Sequence, residues 1–254
     1  RWIALARPAR RLREGARIAF DGGIATVMAV LDEGAREVAF ELDEPFESFL
    51  ERAGRLPLPP YVRNDSPEAQ RGYQTVFARV PGSVAAPTAS LHFTPELLAR
   101  IEDDGIEIAC IALDVGLGTF RPMTARRIDD HAMHAEAYCI PAAAAAAIER
   151  AREEGRRIVA AGTTVVRALE GNVQTHGRIV EGTWRTDLFI APGFEFRVVD
   201  ALITNFHLPR STLLVLVSAF AGRERIRRAY ADAVARRYRF FSFGDAMLLE
   251  RAHT

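Results

Sequence analysis

The sequence contains no lysine. All 33 of its basic side chains are arginine, and 33 Asp and Glu residues balance them to a formal net charge of zero. A chain with no net charge exerts no bulk electrostatic pull on nucleic acid or on a membrane surface. Any phosphate contact must then come from a local cluster, made by planar guanidinium forks rather than ammonium groups. Cysteine is scarce as well. Cys110 and Cys139 lie in apolar, strand-like runs, and no CxxC pair occurs. That excludes a zinc ribbon and predicts buried free thiols. No apolar stretch reaches the roughly eighteen residues that a membrane span requires. The longest, residues 213–221, suits a buried helix instead. No internal repeat and no signal-peptide pattern is visible, so a cytoplasmic location and no membrane partner are expected.

What is present is an ordinary globular balance: 254 residues, 49% hydrophobic and 26% charged, enough for one large or two small domains. Residues 1–60 read as a small antiparallel β-barrel domain. "ARIAF", "GIATVMAVL" and "REVAFEL" carry β-branched or alternating patterns between Gly-containing turns, and "PFESFLERAG" follows as a short helix. "LPLPP" (56–60) fits neither a helix interior nor a central strand and marks a boundary. Residues 61–254 alternate helix and strand, which predicts an α/β domain with a mixed or mostly parallel sheet. Its expected strands include "IEIACIAL" (106–113, buried), "HAEAYCI" (134–140), "RRIVAAG" (156–162), "TDLFI" and "FRVVDALI". Its expected helices include "TPELLARIEDDG", "AAAAAAIERAREEG", "TTVVRALEG", "STLLVLVSAF" and the amphipathic "RERIRRAYADAVARRY". The opening "RWIALARP" reads as the middle of a strand, so a preceding part of the chain is expected.

Ligands of such folds sit where strands end and loops turn into helices. Four polar segments qualify: "SVAAPTASLHFT", "DVGLGTFRP", "AGTTVVR" and "TNFHLPRST". In the second, Gly116 and Gly118 allow close backbone approach and Thr119 can donate, although the Lys and third Gly of a nucleotide loop are missing. In the third, Thr163 and Thr164 open a helix, a natural place for a carboxylate or phosphate, with Arg167 one turn in. In the fourth, Asn205 and His207 point the same way at a strand exit. There Ser211 or Thr212 caps the helix, and Arg210 beside the cap faces a prospective anion. "HAMHAEAY" adds His131, His134 and Glu136. With His92 or His207 these can serve as an acid/base pair, as metal ligands or as structural hydrogen bonders. Basic clusters stand at Arg7, Arg10, Arg11 and Arg13, at Arg223 to Arg228, and at Arg236, Arg237 and Arg239.

"SVAAPTASLHFTPELL", "GLGTFRPM", "HAMHAE", "AAGTTVVRALE", "LFIAPGFEFRVVDALITNFHLPRSTLLVLVSAFAG" and "YRFFSFGDAML" together resemble, in order, the S-adenosylmethionine:tRNA ribosyltransferase-isomerase family. The resemblance implies a transferase of queuosine biosynthesis. S-adenosylmethionine would be a co-substrate, its ribosyl group moved to 7-aminomethyl-7-deazaguanine in tRNA, giving epoxyqueuosine, adenine and methionine. No metal and no obligate protein partner are implied. The resemblance supports the motifs, and residue type within them makes His134, Glu136, His207 and Asp114 the candidate catalytic residues. His92, Gly116, Gly118, Thr119, Phe120, Thr163, Thr164, Arg167, Asn205, Phe206, Arg210 and Ser211 are the candidate substrate-binding residues, with Phe120 and Phe206 suited to the sulfonium cation. Two departures stand out. Asp114 occupies a position where the family usually carries His, and an N-terminal part of the family's sequence has no counterpart. They leave two other expectations open: a relative that binds RNA or nucleoside without chemistry, and a metal hydrolase using His92, His134, Glu136 and His207.

Overall fold

In the computed structural model of this chain, all residues are described except 7, 60–61, 63–65, 80–81, 84, 115–132, 134 and 253–254. The chain divides into two compact units, Arg1–Pro57 and Leu58–Thr254. The division falls inside the proline-rich "LPLPP" segment.

The first unit contains β1 (Trp2–Leu5), β2 (Arg17–Phe20), β3 (Gly23–Val30), β4 (Ala35–Leu42) and helix α1 (Phe46–Ala53). The strands pair antiparallel in the order β1-β4-β3-β2, with a bulge between Val27 and Ala29. Alternation buries Ala25, Val27 and Val38, and α1 brings Phe46 and Phe49 against Trp2, Phe20 and Phe40. Arg36 is buried, and its guanidinium donates to the carbonyls of Leu12, Ala35 and Ala9 at 2.6, 2.7 and 3.0 Å. β1 and β2 do not pair among the described residues, so the sheet is open where a closed barrel was expected. Four strands, two of them only four residues long, give too little register to close on themselves.

The second unit begins with helices α2 (Pro67–Gly72) and α3 (Pro95–Asp103), the latter capped by Thr94, whose hydroxyl accepts from Leu97 N–H. Then come β5 (Ala112–Asp114), β6 (Glu136–Ile140), α4 (Ala142–Glu153), β7 (Val159–Ala161), α5 (Thr163–His176), β8 (Gly182–Thr186), β9 (Ala201–Asn205), α6 (Thr212–Ala221), α7 (Arg223–Ala235) and β10 (Ala246–Glu250). They build two three-stranded sheets, β5-β6-β8 and β10-β9-β7. Only β7 and β9 run parallel among the described pairs, so the fold is mixed α/β and the mostly parallel alternative does not hold. Val166, Leu202, Val217 and Phe220 are essentially inaccessible to solvent at the centre of its core. Each such side chain contributes about 1.5–3 kcal/mol by burial.

Three sequence expectations differ from the structure, each for a backbone reason. The strand expected over 106–113 is confined to its end, and Ile106 and Cys110 are exposed rather than buried. Its partner β6 runs antiparallel with Ala112 opposite Cys139, so Cys110 would fall opposite Pro141. That residue has no N–H and starts α4. "TDLFI" pairs only through Thr186. Beyond it, Arg167 takes the Leu188 carbonyl and the Thr186 hydroxyl takes the Leu188 N–H. In "FRVVDALI" the buried Glu170 carboxylate accepts from Arg197, Val198 and Val199 N–H at 2.8, 3.1 and 3.0 Å. A side chain replaces the ladder there, and the strand starts only at Ala201.

Candidate active site

The parallel pair positions the site. Ala161 of β7 stands opposite Ile203 of β9, and Gly162 N–H continues the ladder to the Ile203 carbonyl at 2.9 Å. Both strands therefore end at one rim. β10 runs antiparallel with Ala246 opposite Asn205, so the loop 239–245 meets the same rim. A 3-10 turn over Thr88–His92 completes it, with the Ala89 methyl 3.8 Å from where a Cβ on Gly162 would lie.

Asn205 is the hub. It is buried, and its side chain bonds three residues on two separate segments. Its Nδ2 donates to the Phe241 carbonyl at 3.2 Å, and its Oδ1 accepts from the Thr88 hydroxyl at 3.3 Å. A carbonyl can only accept, so the nitrogen must face Phe241. The second N–H of that amide then points at His92 Nε2, 2.9 Å away. Nε2 must hold a lone pair, which puts the His92 proton on Nδ1. Nδ1–H itself has no acceptor among the described residues. Burial lowers the basicity of His92, with the Asp245 carboxylate opposing it, so the ring is neutral at physiological pH.

The first turn of α5 faces the same rim. Its N-cap is Gly162, at φ 106°, a left-handed value that favours glycine. Thr163 and Thr164 are thus the first two helical residues rather than the cap, and among the described residues no side chain caps their N–H groups. α6 differs. There Ser211 accepts from Leu214 N–H at 3.2 Å and donates to the Leu208 carbonyl at 2.7 Å. Its hydroxyl is occupied by the cap, and Arg210 beside it is exposed at φ 59°.

His207 does not join Asn205. β9 ends at Asn205, and the chain then turns, folding the His207 ring back so that Nε2 lies 3.0 Å from the Thr204 hydroxyl. Adjacent strand residues point to opposite faces, so Thr204 and Asn205 hold the two histidines on opposite sides of β9. His207 N–H donates to the Tyr230 hydroxyl at 2.7 Å. Desolvation pushes the His207 imidazole down to about 4 and the Tyr230 phenol up to about 12. Phe206 is buried against Tyr230, Tyr238 and Phe240. It belongs to the core rather than to a cation-binding wall.

Glu136 and Arg167 form a buried ion pair at 2.5 Å, with Arg167 also donating to the Leu188 carbonyl at 2.9 Å. Burial lowers the Arg167 affinity for its proton, and Glu136 offsets only part of that. The pair joins α5 to β6. Asp114 is exposed at the end of β5, opposite Ala137. His131, His134, Gly116, Gly118, Thr119 and Phe120 lie outside the described residues. Among the described residues no three His, Cys, Asp or Glu side chains group as metal ligands. No helix among them is long and apolar enough to cross a membrane.

A family model described as "Queuosine biosynthesis protein" matches residues 1–249. The S-adenosylmethionine:tRNA ribosyltransferase-isomerase of Moorella thermoacetica is 55% identical over 251 residues, 98% of this chain and 73% of that protein. The chain belongs to this family. The enzyme of the same name from Gloeobacter violaceus is 54% identical, over 98% of this chain and 71% of its own length. The crystal structure of an S-adenosylmethionine tRNA ribosyltransferase from Thermotoga maritima superposes with a TM-score of 0.53 at 36% identity. It covers 97% of this chain and 69% of that one.

Several residues of the rim were not singled out from the sequence. Thr88 lay within a segment marked as polar, and Phe241 and Asp245 lay within "YRFFSFGDAML", a motif with no role attached. The signal for Gly162 was its place between a strand and a helix with no Ser or Asp to cap it. Nothing local marks Thr204 or Tyr230, because their partner His207 reaches them through the turn.

Proposed function

We propose that this chain transfers and isomerises the ribosyl moiety of S-adenosylmethionine onto 7-aminomethyl-7-deazaguanine in tRNA, acting in the cytoplasm. Epoxyqueuosine forms, and adenine and methionine are released. Family membership supports the reaction class. The observation that carries the site assignment is a neutral histidine whose N–H donor has no acceptor among the described residues, near a helix N-terminus that none of their side chains caps.

The chemistry asks for those two groups. The adenine leaves with the bonding pair of its glycosidic bond, so negative charge builds on a purine nitrogen. A pre-aimed N–H donor stabilises that charge, and a single donor of this kind is worth about a hundredfold in rate or more. His92 Nδ1–H is the donor we assign to it. The methionine carboxylate needs an anion site. The N–H groups of Thr163 and Thr164 at the positive end of α5 supply one, worth about 0.3–1 kcal/mol from the dipole alone. Asn205 is a positioning residue that acts through His92. His207, with a pKa near 4 and a ring tied to Thr204, is mismatched as a proton carrier near neutral pH; we assign it to holding the strand exit.

Turnover with S-adenosylmethionine and precursor tRNA, read as adenine release, tests the assignment. His92→Ala should lose about a hundredfold in kcat while the melting temperature holds. Near-normal turnover of that variant would remove His92 from the site.

A further inference from the structure

The residues that follow α7 carry an inference about how the RNA substrate docks, which rests on the tRNA activity proposed above. From 223 to 239 the chain holds seven arginines (223, 225, 227, 228, 236, 237, 239) against two acids, Glu224 and Asp232. This segment is therefore at +5 in a chain whose formal net charge is zero. Arg223, Arg228 and Arg237 make no hydrogen bond or ion pair among the described residues. Arg227 and Arg236 pair with Glu224 and Asp232, all well exposed, and the exposed Arg239 pairs with the half-buried Asp245. Exposed pairs of this kind are weak and exchange readily for a phosphate.

The end of α7 adds a backbone observation. Helices α3, α4 and α5 are each followed by a glycine at positive φ: Gly105, Gly155 and Gly177. α7 closes with the same kind of turn, Tyr238 N–H reaching back to the Ala233 carbonyl at 2.9 Å and Arg237 N–H to Val234 at 3.1 Å. The residue in the left-handed position there is Arg237, at φ 62°. Glycine is the unstrained choice at such a turn, so the arginine is not explained by the fold. Next to it Tyr238 is 43% exposed while its ring edge packs on Phe206 at 5.9 Å between centroids. An anchored aromatic ring is thus left partly to solvent, with an arginine before it and an arginine after it in the sequence.

This turn is tied to the rim on both sides. Tyr230 of α7 holds His207, and Asp245 accepts from Arg239 N–H at 2.7 Å in the loop whose Phe241 carbonyl holds Asn205. We propose that residues 236–239 form the RNA-docking edge of the site. Arg236 and Arg237 contact phosphates flanking the target nucleotide, and Tyr238 stacks on a neighbouring unpaired base.

The test is Arg237→Gly, which relieves the turn while removing the guanidinium. It should keep or raise the melting temperature, yet weaken tRNA binding several-fold and reduce the slope of log K against log salt by about one. Combining it with Arg236→Gln should reduce the slope by about two. KM for S-adenosylmethionine should not move. Tyr238→Ala should weaken tRNA binding without changing the salt slope. Unchanged tRNA binding and salt slope in these variants would overturn the proposal. So would finding the loss instead in a triple variant Arg10→Gln, Arg11→Gln, Arg13→Gln of the first unit. Binding is measured without turnover. A protein that binds tRNA through this edge but releases no adenine would refute the proposed reaction and leave the docking edge standing.

Discussion

Replacing Asn205 by Asp exchanges one amide nitrogen for an oxygen at constant shape, and every consequence can be worked out from its three partners. The Thr88 hydroxyl keeps an acceptor. The Phe241 carbonyl loses its donor from residue 205, although Gly244 N–H still reaches it at 3.0 Å. The lost bond costs about 1 kcal/mol. His92 changes most. Its Nε2 lone pair would face a carboxylate, so the ring must carry a proton on Nε2, as the other tautomer or as imidazolium. In the native site burial holds the His92 basicity below the ordinary histidine value. An adjacent buried carboxylate reverses this and raises it above the ordinary histidine value. The sign of the pH linkage reverses with it. A lowered folded-state pKa means stability present above 6.5 and lost as pH falls. A raised one means stability present below 6.5 and lost as pH rises. The assay is nitrogen-15 NMR of the histidine rings, with His92 assigned by its loss in His92→Gln, alongside denaturation at several pH values. The native spectrum should show the His92 proton on Nδ1, and the variant should show it on Nε2, with adenine release strongly reduced. A native Nε2–H tautomer, or a variant with unmoved tautomer and pKa, would refute the reasoning.

Desolvation of His207 predicts that stability is lost as pH falls from about 6.5 towards 4, by at most about 3 kcal/mol, the free energy that corresponds to that pKa difference. His207→Gln should flatten that stretch of the denaturation profile, and an unflattened profile would place the effect elsewhere. Arg167→Met strands the Glu136 carboxylate in a buried setting and should cost about 3–5 kcal/mol by urea denaturation, much of it recovered by adding Glu136→Leu. A cost of less than about 1 kcal/mol would mean water reaches the pair. Gly244→Ala would put a Cβ 2.4 Å from the Arg239 carbonyl oxygen and 2.5 Å from the Phe240 carbonyl carbon. The loop must shift, so the variant should also disturb the His92 tautomer. An unperturbed His92 signal would separate that loop from the site.

The sequence announced the parts of this molecule whose backbone bonds are local. Thr94 with Pro95, the alanine run before Ile148 and the Ser211-capped apolar helix all formed where their patterns indicated, because helices satisfy their own hydrogen bonds. It misjudged stretches where distant side chains take over the backbone. Glu170 stops the ladder over 197–199, and Arg167 and Thr186 do the same at Leu188. The polar segments around His92, Thr163 and Asn205 could be read as one rim, since all follow or precede strands. What could not be read was how the polar groups divide within it. His207 and Asn205 are two residues apart and seemed to share a face, yet the turn after β9 sends the histidine back to Thr204. Glu136 looked like a proton carrier until Arg167, 31 residues away, arrived as its partner. The open donor on His92 is invisible without the Phe241 carbonyl, which alone fixes the direction of the Asn205 amide.

The most direct test of the account is incubation of the chain with S-adenosylmethionine and tRNA carrying 7-aminomethyl-7-deazaguanine, followed by mass analysis of the nucleosides. The account predicts epoxyqueuosine in the tRNA, with adenine released in equal amount. It also predicts that both are nearly lost in His92→Ala while tRNA binding persists. Bound tRNA with no adenine and no new nucleoside from the native protein would contradict it.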